Sequence, residues 1–241
     1  MRLAAATLLC GIAGAVVALP ASFARPTGHE DVAGASNSQR TMPEAILVAT
    51  PRRGERIVLR NRPAGRALAV LPRRTRFGSP VKLGVAVRRG NWLAVISEQL
   101  PNGRLGWVPR SHVSLLRISW SIDVSLSRHT MDVRRDGRLV RRMRVAIGAP
   151  SSPTPLGRYV ITDHIDAVKY GNVYGCCILA LSGHQPHPPS SFDRKTDWRL
   201  AIHGGGGLGS AVSAGCLHAS DSDLRLLMRL TPLGTPVLVG A

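Results

Sequence analysis

A lone cysteine set among small residues, with histidines placed before and after it, is the feature on which the chemistry turns. Cys216 lies in Ser213-Ala214-Gly215-Cys216-Leu217-His218, thirteen positions after His203, which heads the run Gly204-Gly205-Gly206-Gly207. A thiol attacks a carbonyl as its thiolate, and imidazole is the usual base that generates it. Glycines let substrate backbone approach closely and leave amide N–H groups to face a developing oxyanion. Cys216 lacks the apolar neighbours of a core cysteine, so the segment reads as nucleophile and base for acyl transfer. His203, Cys216 and His218 form a competing set, three zinc ligands with an open fourth position. No glutamate lies close in sequence to act as the base of a zinc peptidase, so neither metal nor cofactor is expected. Residues 204–209 also satisfy G-x-G-x-x-G. A dinucleotide site needs a helix of some length after those glycines, and residues 210–215 are too few to form it.

Strands must carry these groups. Leu200-Ala201-Ile202 is a β-prone run that ends on His203. Upstream, residues 120–126 and 130–133 alternate apolar with polar, as a sheet with one solvated face should. Arg135-Asp136-Gly137-Arg138 is a hairpin turn into a strand over residues 139–147, and residues 158–162 make another. Residues 163–198, with Pro186, Pro188 and Pro189, are expected as loops framing a groove. Ser220-Asp221-Ser222-Asp223 reads as a helix start, its carboxylates at the positive dipole end. Leu224, Leu227 and Met228 share one face of that helix, and Gly234-Thr235-Pro236-Val237 leads into a closing strand.

Residues 46–117 have a different pattern. Short β-prone runs at 57–59, 67–71, 81–87, 92–96 and 106–108 are divided by Pro, Gly and Asn, the spacing of a small barrel. Arg89-Gly90-Asn91-Trp92 and Pro101-Asn102-Gly103-Arg104 read as tight turns. Leu59-Arg60-Asn61-Arg62-Pro63, Gly90-Asn91-Trp92-Leu93-Ala94-Val95 and Gly106-Trp107-Val108 occur in the order found in bacterial SH3 domains, which this segment resembles. Trp92 and Trp107 are expected in its core.

Residues 118–241 resemble the L,D-transpeptidase catalytic domain of the YkuD type. Asp136-Gly137-Arg138-Leu139-Val140 fits its "D-G-x-L-V" turn, and Thr154-Pro155-Leu156-Gly157-Arg158-Tyr159 fits "T-P-x-G-x-[FY]". Ala201-Ile202-His203-Gly204 fits "I-H-G", and Ser213-Ala214-Gly215-Cys216-Leu217-His218 stands where the family has "[ST]-H-G-C-[IV]-[RN]". Ala214 departs from a histidine there, and His218 from an arginine or asparagine. The resemblance implies a fold that is mainly β: an SH3-like barrel, then a mostly-β catalytic domain with one late α-helix. It implies Cys216 as nucleophile and His203 as base, oriented by the Gly204 carbonyl. By the same likeness Gly215 and Cys216 supply oxyanion N–H groups, Ser213 packs or bonds behind the loop, and His218 and Tyr159 contact substrate. The implied reaction is L,D-transpeptidation of peptidoglycan stem peptides through a thioester, without a cofactor. Hydrolysis as an L,D-carboxypeptidase is the alternative within that chemistry. A wall-binding protein whose catalytic domain has decayed is the alternative outside it, and Ala214 is the residue that keeps it open.

The ends and the charge agree with export. Arg2, an apolar stretch over residues 3–19 and Ser22-Phe23-Ala24 read as a signal peptide over residues 1–24. Thr7-Leu8-Leu9 lacks the small residue expected before a lipidated Cys10. Residues 25–45 have the composition of a flexible tether. Periplasm or cell wall is therefore the expected location, with membrane attachment only if the leader is retained. Without Cys10, three cysteines remain, an odd count that suggests a free thiol. Cys176 and Cys177 could be oxidised as a pair, but adjacent residues form a strained ring, and small core residues are the expectation. Residues 46–117 carry fifteen Lys/Arg against Glu55 and Glu98, a net of +13, whereas residues 118–241 net +5. For an exported chain the partner implied by that charge is an anionic cell-wall polymer rather than nucleic acid.

Overall fold

The computed structural model describes residues 46–189 and 198–241. The expected signal peptide, Cys10 and the tether lie outside the described residues. All described residues belong to one compact unit.

The N-terminal part is a seven-stranded antiparallel sheet. Its strands are β1 (Ile46–Pro51), β2 (Val58–Arg60), β3 (Ala67–Val70), β4 (Leu83–Arg89), β5 (Trp92–Ile96), β6 (Gly106–Pro109) and β7 (Val113–Ile118). They lie in the order β3-β2-β6-β5-β4-β1-β7, so β1 and β7 add to the five expected strands. The core between them holds Ile57, Leu59, Leu83, Leu93, Val95 and Val108. Trp92 and Trp107, expected in that core, are half-buried and stand outside it. In β6 the two-residue period turns Gly106 and Val108 inward and Trp107 to the other face.

The C-terminal part is a mixed eight-stranded sheet with one helix. Its strands begin with β8 (Trp120–Ser125), β9 (Thr130–Arg135) and β10 (Arg138–Arg144), followed by the short β11 (Ile147–Gly148) and the long β12 (Gly157–Asp166). Then come β13 (Cys177–His184), β14 (Arg199–His203), β15 (Ala211–Ser213), β16 (Leu217–His218), the helix α1 (Asp221–Leu230) and β17 (Pro236–Gly240). The order is β10-β9-β8-β17-β12-β13-β14-β16, with β11 and β15 paired separately. Asp136 and Gly137 both have positive φ, 50° and 76°, the backbone that a two-residue hairpin of matching twist requires. Ser220 caps α1 by accepting the Asp223 N–H at 3.2 Å, and Leu224 and Leu227 bury its inner face. Ile122, Met131, Ile161, Leu179, Leu181 and Ile202 are the centre of the core.

Two expectations are corrected here. The strand expected over residues 139–147 divides into β10 and β11. The segment expected as loops contains β13, seven of whose eight residues are buried, because a strand covered on both faces reads as a continuous apolar run without alternation. Cys177 sits in the core with Cys176 packed against it, as expected, and the two are joined in a disulfide, leaving Cys216 as the free cysteine of the described residues.

The two sheets are joined through buried polar groups. Arg199, at the start of β14, pairs with Glu98 of the N-terminal sheet and with Asp163 of β12, and all three side chains are less than a tenth exposed. Thr75 donates its hydroxyl to the same Asp163. Asn102 bonds both backbone groups of His184, donating to its carbonyl at 2.7 Å and accepting its N–H at 2.8 Å. The strand that ends on His203 is thus anchored at its start by the N-terminal sheet.

Candidate active site

The site forms where β14 and β16 run side by side. They are parallel, with Ile202 opposite Leu217 and His203 opposite His218. Neighbouring strands lie about 4.8 Å apart, and the two imidazole rings stand 4.8 Å apart between centroids. Cys216 immediately precedes β16 and packs with Ala201 and Ile178 beside Tyr174. His203, Cys216 and His218 all line one cleft of about 710 Å³.

His203 is held in one state by its surroundings. It is 8% exposed, its Nδ1 lies 2.5 Å from the Gly204 carbonyl, and the edge of Tyr174 meets its ring. The Gly204 N–H in turn donates to the Tyr174 carbonyl at 2.7 Å, fixing that peptide. Burial pushes the His203 pKa down to about 4; the Gly204 bond opposes this, and the neighbouring His218 adds to it. The ring is therefore neutral at pH 7. Because Nδ1 faces a carbonyl, the proton sits there and Nε2 keeps the basic lone pair.

Cys216 is half-buried, and burial pushes its thiol up to about 11, with a backbone hydrogen bond from Ala201 working in the opposite direction. The resting pair is accordingly a thiol beside a neutral imidazole. The thiol proton must therefore leave as the sulfur attacks.

The loop before Cys216 is clamped from behind. Ser213 donates its hydroxyl to the Cys216 carbonyl at 2.6 Å and accepts the Gly215 N–H at 3.1 Å. Thr154 donates to the Gly215 carbonyl at 2.9 Å, while Ser152 and Gln185 both donate to the Ala214 carbonyl. In a trans peptide C=O and N–H point opposite ways, so the bond to Thr154 turns the Cys216 N–H away from Thr154. Gly215 has φ of 111°, and a Cβ there would run into the Gln185 amide. The Gly215 N–H, expected to face an oxyanion, is already engaged by Ser213, which leaves the Cys216 N–H for that part.

Of the other expected site residues, His218 remains at the cleft, half-exposed, with Nδ1 3.0 Å from the Gly206 carbonyl. Tyr159 is corrected: it is 2% exposed, its hydroxyl donates to the Pro155 and Leu156 carbonyls, and it does not line the cleft. Its burial keeps the phenol protonated, pushed up to about 12. Sequence reasoning missed Gln185, Tyr174 and the two residues that the N-terminal sheet sends to the cleft, Arg76 and Phe77. Gln185 carries no motif, since it is one amide in a proline-rich stretch. No described residue lining the cleft is acidic, and no three described His, Cys, Asp or Glu side chains converge as a metal would need.

Known proteins give the following likenesses. Residues 119–239 match the family model of the YkuD L,D-transpeptidase catalytic domain. A putative L,D-transpeptidase YkuD of Bacillus licheniformis is 29% identical over 127 residues, which is 51% of this chain and 66% of that relative. Among solved structures, an L,D-transpeptidase from Mycobacterium smegmatis matches 59% of this chain and 76% of its own, at 20% identity and a TM-score of 0.40. L,D-transpeptidase 3 from Mycobacterium tuberculosis, in complex with a faropenem-derived adduct, matches 57% of this chain and 73% of its own, at 21% identity and a TM-score of 0.40.

Proposed function

The chain belongs to the YkuD L,D-transpeptidase catalytic-domain family, and on that premise we propose that it transfers acyl groups between peptidoglycan stem peptides through a thioester on Cys216. The observation that carries this reading is the pairing of β14 with β16, which puts a free thiol and a neutral, carbonyl-anchored imidazole in one cleft. In the first step the Cys216 sulfur bonds to the carbonyl carbon that joins an L-centre to a terminal D-residue, and its proton passes to His203 Nε2. The tetrahedral oxyanion faces the Cys216 N–H, and such a donor contributes roughly 3–4 kcal/mol. Collapse breaks the C–N bond, and the D-amino acid leaves with the proton from Nε2. An amine of a second stem then attacks the thioester, gives its proton to Nε2, and the sulfur recovers it. Nδ1–H stays on the Gly204 carbonyl throughout, holding the tautomer that a carboxylate holds in other triads.

Mass spectrometry of muropeptides incubated with the wild type and with Cys216→Ala tests the proposal. Cross-linked or D-residue-exchanged products from the wild type alone support it. Products trimmed by one D-residue without cross-links favour the carboxypeptidase, and no Cys216-dependent product favours a binding protein. The leader and the basic N-terminal sheet complete the proposal: an exported chain held on an anionic wall polymer. Its retention on isolated wall should fall steeply with salt. Among the described residues no helix is long and apolar enough to cross a membrane.

A further inference from the structure

A second groove lies between the two sheets, and it shares no lining residue with the catalytic cleft. It has two lobes, of about 220 and 720 Å³, which meet at Ala86, Ile96 and Arg158. We propose that this groove binds a linear phosphodiester polymer, with one phosphate seated in the smaller lobe and the chain continuing through the larger. The proposal rests on the reading above of an exported chain held on an anionic wall polymer, and it gives that polymer a defined seat.

The smaller lobe is built to hold an oxyanion. Arg104, between β5 and β6, and Arg158, in β12, both line it, and neither side chain makes a hydrogen bond or ion pair among the described residues. Ser97 and Ser182 line the same lobe and are 5% and 3% exposed. Their hydroxyl oxygens accept the Gln99 and Val160 N–H groups at 3.2 and 3.1 Å. Neither hydroxyl donates to a described group, so each keeps its own O–H to give. A buried donor without an acceptor is costly, and a ligand oxygen removes that cost. Ser97 and Arg104 come from the N-terminal part, Ser182 and Arg158 from the catalytic sheet. Donors that approach from two sides suit a tetrahedral phosphate better than a planar carboxylate, whose hydrogen bonds lie near one plane.

The larger lobe selects a chain over a single ion. A space of about 720 Å³ holds an extended ligand. Arg88 joins Arg158 in lining it, also without a partner among the described residues, and no acidic residue lines either lobe. Cations set at intervals along a groove match an anion that repeats along a chain. Val85, Val87 and Pro236 offer apolar surface for the uncharged spacers. A bilayer presents its phosphates on a broad face and cannot enter a recess between two sheets, whereas a single chain can.

Equilibrium binding of a fluorescent synthetic poly(glycerol phosphate) oligomer to the full chain tests the assignment. Arg158 is common to both lobes, so Arg158→Ala should weaken binding about tenfold, and Arg158→Lys should recover part of the loss. Arg53→Ala and Arg66→Ala remove the same charge from positions that line neither lobe, and each should stay within about twofold of wild type. All three arginines are exposed, so the variants should fold, which thermal melts verify. Equal losses at groove and control positions would mean a diffuse field and overturn the proposal. Tighter binding to phosphatidylglycerol vesicles than to the oligomer, unchanged in Arg158→Ala, would overturn it in favour of a membrane surface. Salt-sensitive retention on isolated wall that ignores Arg158→Ala removes the groove and leaves the wall-polymer reading standing. Absence of binding to both oligomer and wall removes both.

Discussion

In the N-terminal sheet the arginines reach backbone carbonyls: Arg52 and Arg110 to Val113, Arg60 to Gly65, Arg74 to Gly78. In the catalytic sheet they reach carboxylates: Arg134 to Asp123, Arg142 to Asp132, Arg141 to Asp223, and Arg199 to Asp163. A carbonyl bond holds a turn but leaves the charge in place, whereas a carboxylate holds and neutralises. The same side chain therefore builds an outward field on one side and cross-links strands on the other. The cleft is lined from both, by His203 and Cys216 on one wall and by Arg76 and Phe77 on the other.

The largest test of this division is in rate. On the catalytic wall Cys216→Ala should lower kcat by roughly 10⁴-fold or more, and His203→Ala by roughly 10²–10⁴-fold. Steady-state kinetics on one stem peptide reads both, and a kcat like that of wild type in either variant would contradict the assignment of the catalytic pair.

Next in size is the joint between the sheets. Arg199→Ala removes the cation shared by the buried Asp163 and Glu98, a change that costs about 3–5 kcal/mol. Urea unfolding should show that loss. A midpoint like that of wild type would mean that the sheets do not depend on this pair.

The buried imidazole predicts a pH dependence of similar or smaller size. The folded His203 has a pKa near 4 against an ordinary 6.5. Between those values the unfolded chain binds a proton that the folded chain refuses, so stability is full above about 6.5 and falls as pH drops toward 4. The expected loss is up to roughly 3 kcal/mol, and His203→Gln should flatten the melting profile over that window. Asp132 behaves in the other range. The Arg142 hydrogen bond holds its carboxyl below the ordinary 3.8, so its contribution is lost only as pH falls through that lowered value.

The smallest effects compare the two arginine habits directly. Asp132→Asn weakens the bonds from Arg134 and Arg142, at a cost of about 1–2 kcal/mol. Arg60→Gln, which removes a carbonyl bond, should cost less than about 1 kcal/mol. Thermal melts of both at pH 7 would rank them, and the reverse order would contradict the contrast.

Local grammar made much of this fold legible. Asp136-Gly137 specifies its turn, Ser220 its helix cap, and the glycine and serine around Cys216 an unusual loop, because each acts on neighbours within a few residues. Long-range packing was not legible. β13 lacks alternation because both faces are covered, and Tyr159 turns inward because its hydroxyl finds two carbonyls in its own loop. Phe77 reaches the cleft only through Thr75, Asp163 and Arg199, residues far apart in the chain. Cys176 and Cys177 read as core residues and pack in the core, but their adjacency argued against the bond that joins them.

The most direct test is to mix enzyme with a stem tetrapeptide, quench in acid within the first turnovers, and map the modified peptide by mass spectrometry. A thioester carrying the donor minus its terminal D-residue should be found on Cys216, accumulate far more slowly in His203→Ala, and be missing in Cys216→Ala. Product formation with no adduct on Cys216, or an adduct that maps to another residue, would contradict the account.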